Sequence, residues 1–163
     1  MKKLLVSFVV GVATLSISCQ AQPSPKATAQ GSDVSINYSQ PSKKGREIFG
    51  KLVPFSAVWR AGANEATEIT FAKDTKFGGQ AIKAGTYSFF VSPTATEWTI
   101  ILNSELKQWG SFGYEKIKAK DVLKVTVPVK KLDTVVEKLT YRFGDKNVLI
   151  IEWDQTQVTI PVG

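Results

Sequence analysis

Apolar side chains fall on every second residue in one short run of this chain after another. Val34, Ile36 and Tyr38 alternate with polar neighbours, and Thr67, Ile69 and Phe71 alternate with Glu68 and Thr70. Tyr87, Phe89 and Val91 follow Gly85. Trp98, Ile100 and Leu102 end at Asn103, and Val125, Val127 and Val129 follow Asp121. Leu139, Tyr141 and Phe143 end at Gly144-Asp145, residues 148–153 are almost continuously apolar, and Val158, Ile160 and Val162 close the chain. A period of two belongs to a strand with one buried face. Runs of about five to eight residues bounded by turn residues predict an antiparallel β-sandwich. The expected class is all-β, Greek-key or jelly-roll-like, with about eight to ten strands and one or two short helical turns. Those turns are expected in residues 43–50 and in the connection 129–138. Pro128 and Pro161 put their strands at a sheet edge or end them, because proline donates no ladder hydrogen bond.

The ends of the chain carry different information. Lys2 and Lys3 precede an apolar run over residues 4–15. That run is shorter than the roughly 20 residues of a spanning helix, and the pattern is that of a signal peptide over residues 1–21. Cys19-Gln20-Ala21 suits an ordinary signal peptidase. Ser16-Ile17-Ser18-Cys19 resembles a lipobox that would lipidate Cys19, although Leu15 stands four residues before the cysteine rather than three. Both routes imply export to the periplasm or outer envelope, and a membrane association only through a lipid on Cys19. Residues 22–32 lack large apolar side chains and read as a flexible linker, which leaves residues 33–163 as one domain.

Composition removes several chemistries. The chain of 163 residues has no histidine, so the usual neutral-pH acid/base and the Ser-His and Cys-His nucleophile pairs are missing. Its one cysteine lies in the leader, so the domain forms no internal disulfide and no thiolate metal site. No cofactor and no metal site is expected. A domain of this size buries roughly 68% of its unfolded surface and needs no staple. The formal charge of +7 is carried by scattered lysines with only Arg46, Arg60 and Arg142 as arginines, which does not predict nucleic-acid binding.

Polar residues that amphipathicity does not require are concentrated in residues 36–71. Ser42-Lys43-Lys44-Gly45-Arg46 is a basic, glycine-bearing loop, either an anion cradle or a solvated turn. In Trp59-Arg60-Ala61-Gly62-Ala63-Asn64-Glu65-Ala66-Thr67, charged and polar groups stand among small ones. Neighbouring side chains of a strand face opposite ways, so a core-facing Trp59 turns Arg60 to the other face. Arg60 then either pairs with Glu65 to fix the bend or holds an anion that Asn64 and Glu65 orient. Glu65 and Glu68, three apart, should face opposite sides unless a bulge intervenes. Trp98 and Trp153 sit in apolar runs and are expected in the core, whereas Trp109 is the exposed candidate for stacking on a ligand. Gly85-Thr86-Tyr87 has the form of a tyrosine corner, in which the phenol bonds back to the turn.

These motifs together resemble the bacterial domain-of-unknown-function family DUF2911. The resemblance runs through residues 38–50 (YSQPSKKGREIFG), Val53-Pro54-Phe55, residues 59–67 (WRAGANEAT), residues 83–88 (KAGTYS) and residues 97–103 (EWTIILN). Gln40 stands where the pattern has Arg. The resemblance implies an exported, mostly β protein and implies no activity. It marks Lys44, Arg46, Trp59, Arg60, Asn64 and Glu65 as signature positions. The expected function is a non-catalytic module that binds a small anionic molecule or glycan in a cleft beside the 59–67 loop. Its ligand-binding residues would be Arg60, Asn64, Glu65, Lys44, Arg46 and Trp109. A hydrolase using paired carboxylates and a structural or partner-binding envelope component are the alternatives.

Overall fold

The computed structural model describes residues 23–163, so the leader and Cys19 lie outside the described residues. Ten strands follow one another: β1 Lys26–Gln30, β2 Val34–Ser39, β3 Thr67–Phe71, β4 Thr75–Phe77, β5 Gln80–Ile82, β6 Gly85–Pro93, β7 Glu97–Asn103, β8 Asp121–Pro128, β9 Lys130–Gly144 and β10 Val148–Pro161. A single α-helical turn, α1 Tyr114–Ile117, and two 3₁₀ turns complete the elements. The chain is all-β, and every strand pairing is antiparallel. Six strands form one sheet in the order β1-β2-β3-β6-β7-β8. That order is a meander whose one skip is filled by the β4–β5 hairpin, so no strand of this sheet returns beside a distant one in the Greek-key manner. The long β9–β10 hairpin forms the second layer.

The alternation read from the sequence sets which faces meet. Ile36, Ile69, Phe89, Val91, Ile100 and Leu102 of the large sheet are buried with Leu139, Tyr141, Leu149, Ile151, Trp153 and Ile160 of the hairpin in one core. Pro128 ends β8, the outermost strand of the large sheet, and Pro161 ends β10, as their missing N–H groups require. The tyrosine corner is present: Tyr87 donates its hydroxyl to the Lys83 carbonyl at 3.0 Å.

Three stretches differ from expectation. Residues 26–30 form an edge strand on β2 instead of running free as a tether. Residues 130–138 are the first half of β9 and not a helical connection. Lys130 and Lys131 still pair with β10 there, but the ladder is broken by bulges around Asp154. Residues 43–50 form turns with no helix, and the α-helical turn among the described residues is Tyr114–Ile117. It is held from below by Asp121, which accepts from the Tyr114 hydroxyl at 2.6 Å and from Asn103 Nδ2 at 2.7 Å.

The segment 40–59 crosses between the layers. Ser42 bridges to Lys138, Lys43 donates its N–H to the Glu137 carbonyl at 2.7 Å, and the Gln40 side chain donates to the Leu139 carbonyl at 3.0 Å. Gln40 thus ties this segment to β9. Farther along, Phe49 packs in an aromatic cluster with Trp59, Trp98 and Trp153, at ring separations of 6.0, 5.0 and 6.2 Å. Trp59 stacks on Trp153 at 6.0 Å and meets Trp98 edge-on at 6.1 Å. Such aromatic pairs contribute about 0.5–1.5 kcal/mol each beyond their buried area.

After Trp59 the chain leaves the sheet and returns to it. Trp59 exchanges both backbone hydrogen bonds with Val91, at 2.7 and 2.9 Å, in line with β3. The next residue paired with β6 on that line is Thr67, opposite Phe89. Two residues on β6 therefore face a chain that has made an excursion through residues 60–66. Its neck is closed by the Thr67 N–H on the Arg60 carbonyl at 3.1 Å. Inside the neck, the Ala61 carbonyl accepts from the Tyr141 hydroxyl at 2.6 Å and from Thr67 Oγ1 at 2.9 Å. Burial and the adjacent Tyr38 push the Tyr141 phenol well above its usual pKa, so it stays a donor. Tyr141→Phe should therefore cost about 0.5–1.5 kcal/mol in urea unfolding, the net worth of one hydrogen bond, because Thr67 Oγ1 still serves the carbonyl. A cost below about 0.5 kcal/mol would show that this bond does not hold the neck.

Candidate functional site

The excursion is built from residues that tolerate its backbone. Ala61 and Asn64 have φ of 53° and 58°, in the left-handed region, where asparagine is among the better-tolerated residues. At Gly62 a Cβ would stand 2.9 Å from Thr67 Oγ1 and 3.1 Å from the Ser39 carbonyl, so no side chain fits there. Asn64 Nδ2 donates to the Ser24 carbonyl at 3.1 Å and to Ser39 Oγ at 3.3 Å, which fastens the loop to the N-terminal segment and β2. On its other side the loop is zipped to residues 108–110. Ala66 donates to the Gln108 carbonyl at 2.8 Å, Gly110 donates to the Asn64 carbonyl at 3.1 Å, and Glu65 bridges to Trp109.

Trp59 turns into the core, with 9% of its surface exposed, and Arg60 turns the other way. Arg60 lines a cleft of about 360 Å³ together with Arg46, Trp59, Trp153, Leu52, Val53 and Phe112. Among the described residues, no aspartate or glutamate lines this cleft. Arg60 Nε is buried and has no hydrogen-bond partner among the described residues. Burial lowers the Arg60 pKa from its ordinary value, the direction expected for a cation taken out of water without a counter-charge. Its Nη1 lies over the backbone of Gly110, where a Cβ would come within 3.3 Å of it and within 2.9 Å of the Phe112 ring.

Arg60 does not pair with Glu65, the arrangement set out above as one way of fixing the bend. Glu65 Oε2 stands 2.9 Å from Lys26 Nζ on β1 instead. The Lys26 ammonium, aided by the Glu65 backbone N–H, holds this carboxyl below the usual range. Glu65 and Glu68 do share a groove, of about 330 Å³, with Lys26 and Lys107. Strand alternation fails to separate them because Glu65 lies in the excursion, ahead of β3. Glu68 accepts the Lys107 backbone N–H at 3.0 Å.

The six sequence candidates are thus distributed. Arg60 and Arg46 meet in one cleft. Arg46 is anchored to its own loop, with Nε donating to the Lys43 carbonyl at 3.0 Å and Nη2 to the Ser42 carbonyl at 2.6 Å. Glu65 lines the second groove, and the Asn64 amide is occupied in holding the loop. The Lys44 side chain is exposed and does not line the cleft, while its N–H donates to Glu137 Oε1 at 2.8 Å. Trp109 is 67% exposed, as expected, but is not among the residues lining the cleft. Its neighbour Phe112, 85% exposed, is the aromatic that borders it. Phe112 and Leu52 were not singled out from the sequence. An aromatic set between Gly110 and Gly113 is a signal that could have found Phe112, and Leu52 had none.

A family model described as a protein of unknown function, DUF2911, matches residues 21–162. The chain belongs to the DUF2911 family. Comparison with curated proteins and with solved structures gave no match. The DUF2911 match spans every element described above, the excursion and both grooves included.

Two outcomes test these roles. Arg60→Met should leave the melting temperature unchanged or raise it by up to about 3 °C, because it removes a half-buried charge whose Nε has no partner among the described residues and keeps the stem. A drop of many degrees would mean that Arg60 is a folding device. Glu65, Asp74 and Glu152 all have lowered carboxyl pKa values, caused first by Lys26, Lys83 and Arg142. A lowered folded-state pKa adds stability above the unfolded-state value and loses it as pH falls through the folded one. Urea midpoints should hold steady above about pH 5 and fall below about pH 4.5. Lys26→Met should make that fall shallower, and an unaltered slope would remove Glu65 from the account.

Proposed function

We propose that this DUF2911 protein is an exported, non-catalytic binding module whose ligand is a small anion held in the Arg60 cleft. The observation that carries the reading is the buried Arg60 Nε with no acceptor among the described residues, in a cleft lined by a second arginine and no carboxylate. A buried donor without a partner costs about 1–3 kcal/mol, and more when charged. An oxyanion removes that cost by accepting from Nε and a neighbouring Nη together. The cleft volume of about 360 Å³ is at the lower end of the range that small ligands occupy. Export rests on the leader pattern of residues 1–21, with Cys19 as the point of lipid attachment if the second processing route is taken.

The groove that holds Glu65 and Glu68 supports a paired-carboxylate hydrolase less well. Such a pair divides the work between an ionised group and an acid whose pKa is raised. Here Glu65 is held ionised by Lys26, and Glu68 is engaged with the backbone of Lys107.

Thermal melts of the unmodified protein and of Arg60→Met, against organic anions, envelope glycans and divalent metals, test the proposal. A ligand at 100 times its Kd adds about 2.7 kcal/mol, or several degrees at this size. The expected result is a rise with at least one organic anion that Arg60→Met abolishes. A rise only with neutral glycans or metals, or one that survives in Arg60→Met, would overturn it.

A further inference from the structure

We infer that the ligand of the Arg60 cleft is an amphiphilic carboxylate, with its head on Arg60 and its apolar body lying towards Leu52 and Phe112. This rests on the anion-binding reading above and names the ligand class. The number of free donors sets the head. Arg46 has committed the N–H of Nε and one of Nη2 to the carbonyls of Lys43 and Ser42, which leaves it three of its five donors beside its charge. Arg60 makes no side-chain hydrogen bond among the described residues and keeps its whole fork. One planar fork suits one planar two-oxygen head.

The remainder of the lining sets the body. Leu52, Val53, Val58, Trp59, Phe112 and Trp153 contribute apolar surface, and among the described residues the lining has hydroxyl side chains only at Ser24 and Ser111. A sugar, with a hydroxyl on nearly every carbon, would leave most of its hydroxyls without partners there. An alkyl or aryl body leaves none. Leu52 is 44% exposed and Phe112 85% exposed, so an apolar body across the mouth would remove from water surface that the fold itself leaves uncovered. Trp59 and Trp153 are fixed by stacking and by their indole N–H groups on the carbonyls of Gly62 and Glu137, so the floor is formed before the ligand arrives.

Isothermal titration of the purified protein with octanoate, acetate, octanol and vesicles of phosphatidylglycerol separates the sources of affinity. Octanoate should bind at least about tenfold more tightly than acetate or octanol. Phe112→Ala should weaken octanoate and leave acetate unchanged. Arg60→Met should reduce octanoate to the level of octanol without lowering the melting temperature. If acetate binds as well as octanoate, the amphiphile inference falls and the anion-binding proposal stands. If octanol binds as well as octanoate, both fall. Binding to the vesicles without any response to octanoate would overturn the inference in favour of a membrane surface.

Discussion

The carbonyl of Ala61 is the point on which the site depends. It lies in the neck of an excursion that interrupts the β3 line, and it takes two hydroxyl donors, Tyr141 from the opposite layer and Thr67 from the returning strand. Without them a buried carbonyl would be left over, because the chain at residues 60–66 no longer has a ladder to pair with. With them, the two layers and the two ends of the loop are fixed to one atom. Arg60 is the residue immediately before that atom. Its direction follows from the neck: Trp59 is committed to the aromatic cluster, so the next side chain must leave on the other face.

The same closure explains how a partnerless guanidinium persists in a folded protein. A buried cation is ordinarily offset by a carboxylate, and the nearest acid along the chain is Glu65. The loop turns Glu65 towards Lys26 on β1, on the far side of the Asn64 latch, and the left-handed backbone at Asn64 makes that turn. Two charges five residues apart are thereby sent into separate grooves. The cost is carried by the surrounding core: four aromatic rings beneath the cleft and the cross-layer ties of Gln40, Ser42 and Lys43 to β9. A conformation that is locally unfavourable and held by its surroundings is the usual setting of a binding surface.

Legibility in the sequence followed burial. Strands with one face in the core, such as Thr67–Phe71, alternate cleanly and could be read directly. Lys26–Gln30 could not, because an edge strand of Lys, Ala, Thr and Gln has no large side chain to mark its inner face. The first half of β9 was also hidden. Residues 130–138 are almost all exposed or partly exposed, so solvent imposes no period on them, and the bulges at Asp154 break what register remains. At the site, the division of Trp59 inward and Arg60 outward was legible because it is a local property of extended chain. The partner of Glu65 was not, since Lys26 lies 39 positions earlier on a strand that itself had no signature.

That asymmetry separates the signature residues by the kind of constraint each meets. Gly62 is fixed by Thr67 Oγ1 and the Ser39 carbonyl, Asn64 by its backbone angle and two acceptors, and Trp59 by its stack on Trp153 and the Gly62 carbonyl. The fold accounts for those three completely. Arg46 is half accounted for, with two of its nitrogens spent on its own loop. The Arg60 guanidinium has no such account, for it satisfies no neighbour, and its burial works against its own charge. When the residues on either side of Arg60 are explained by packing and hydrogen bonding and its guanidinium is not, we take its requirement to come from outside the chain. In a cleft with two cations and no anion, that requirement has a sign.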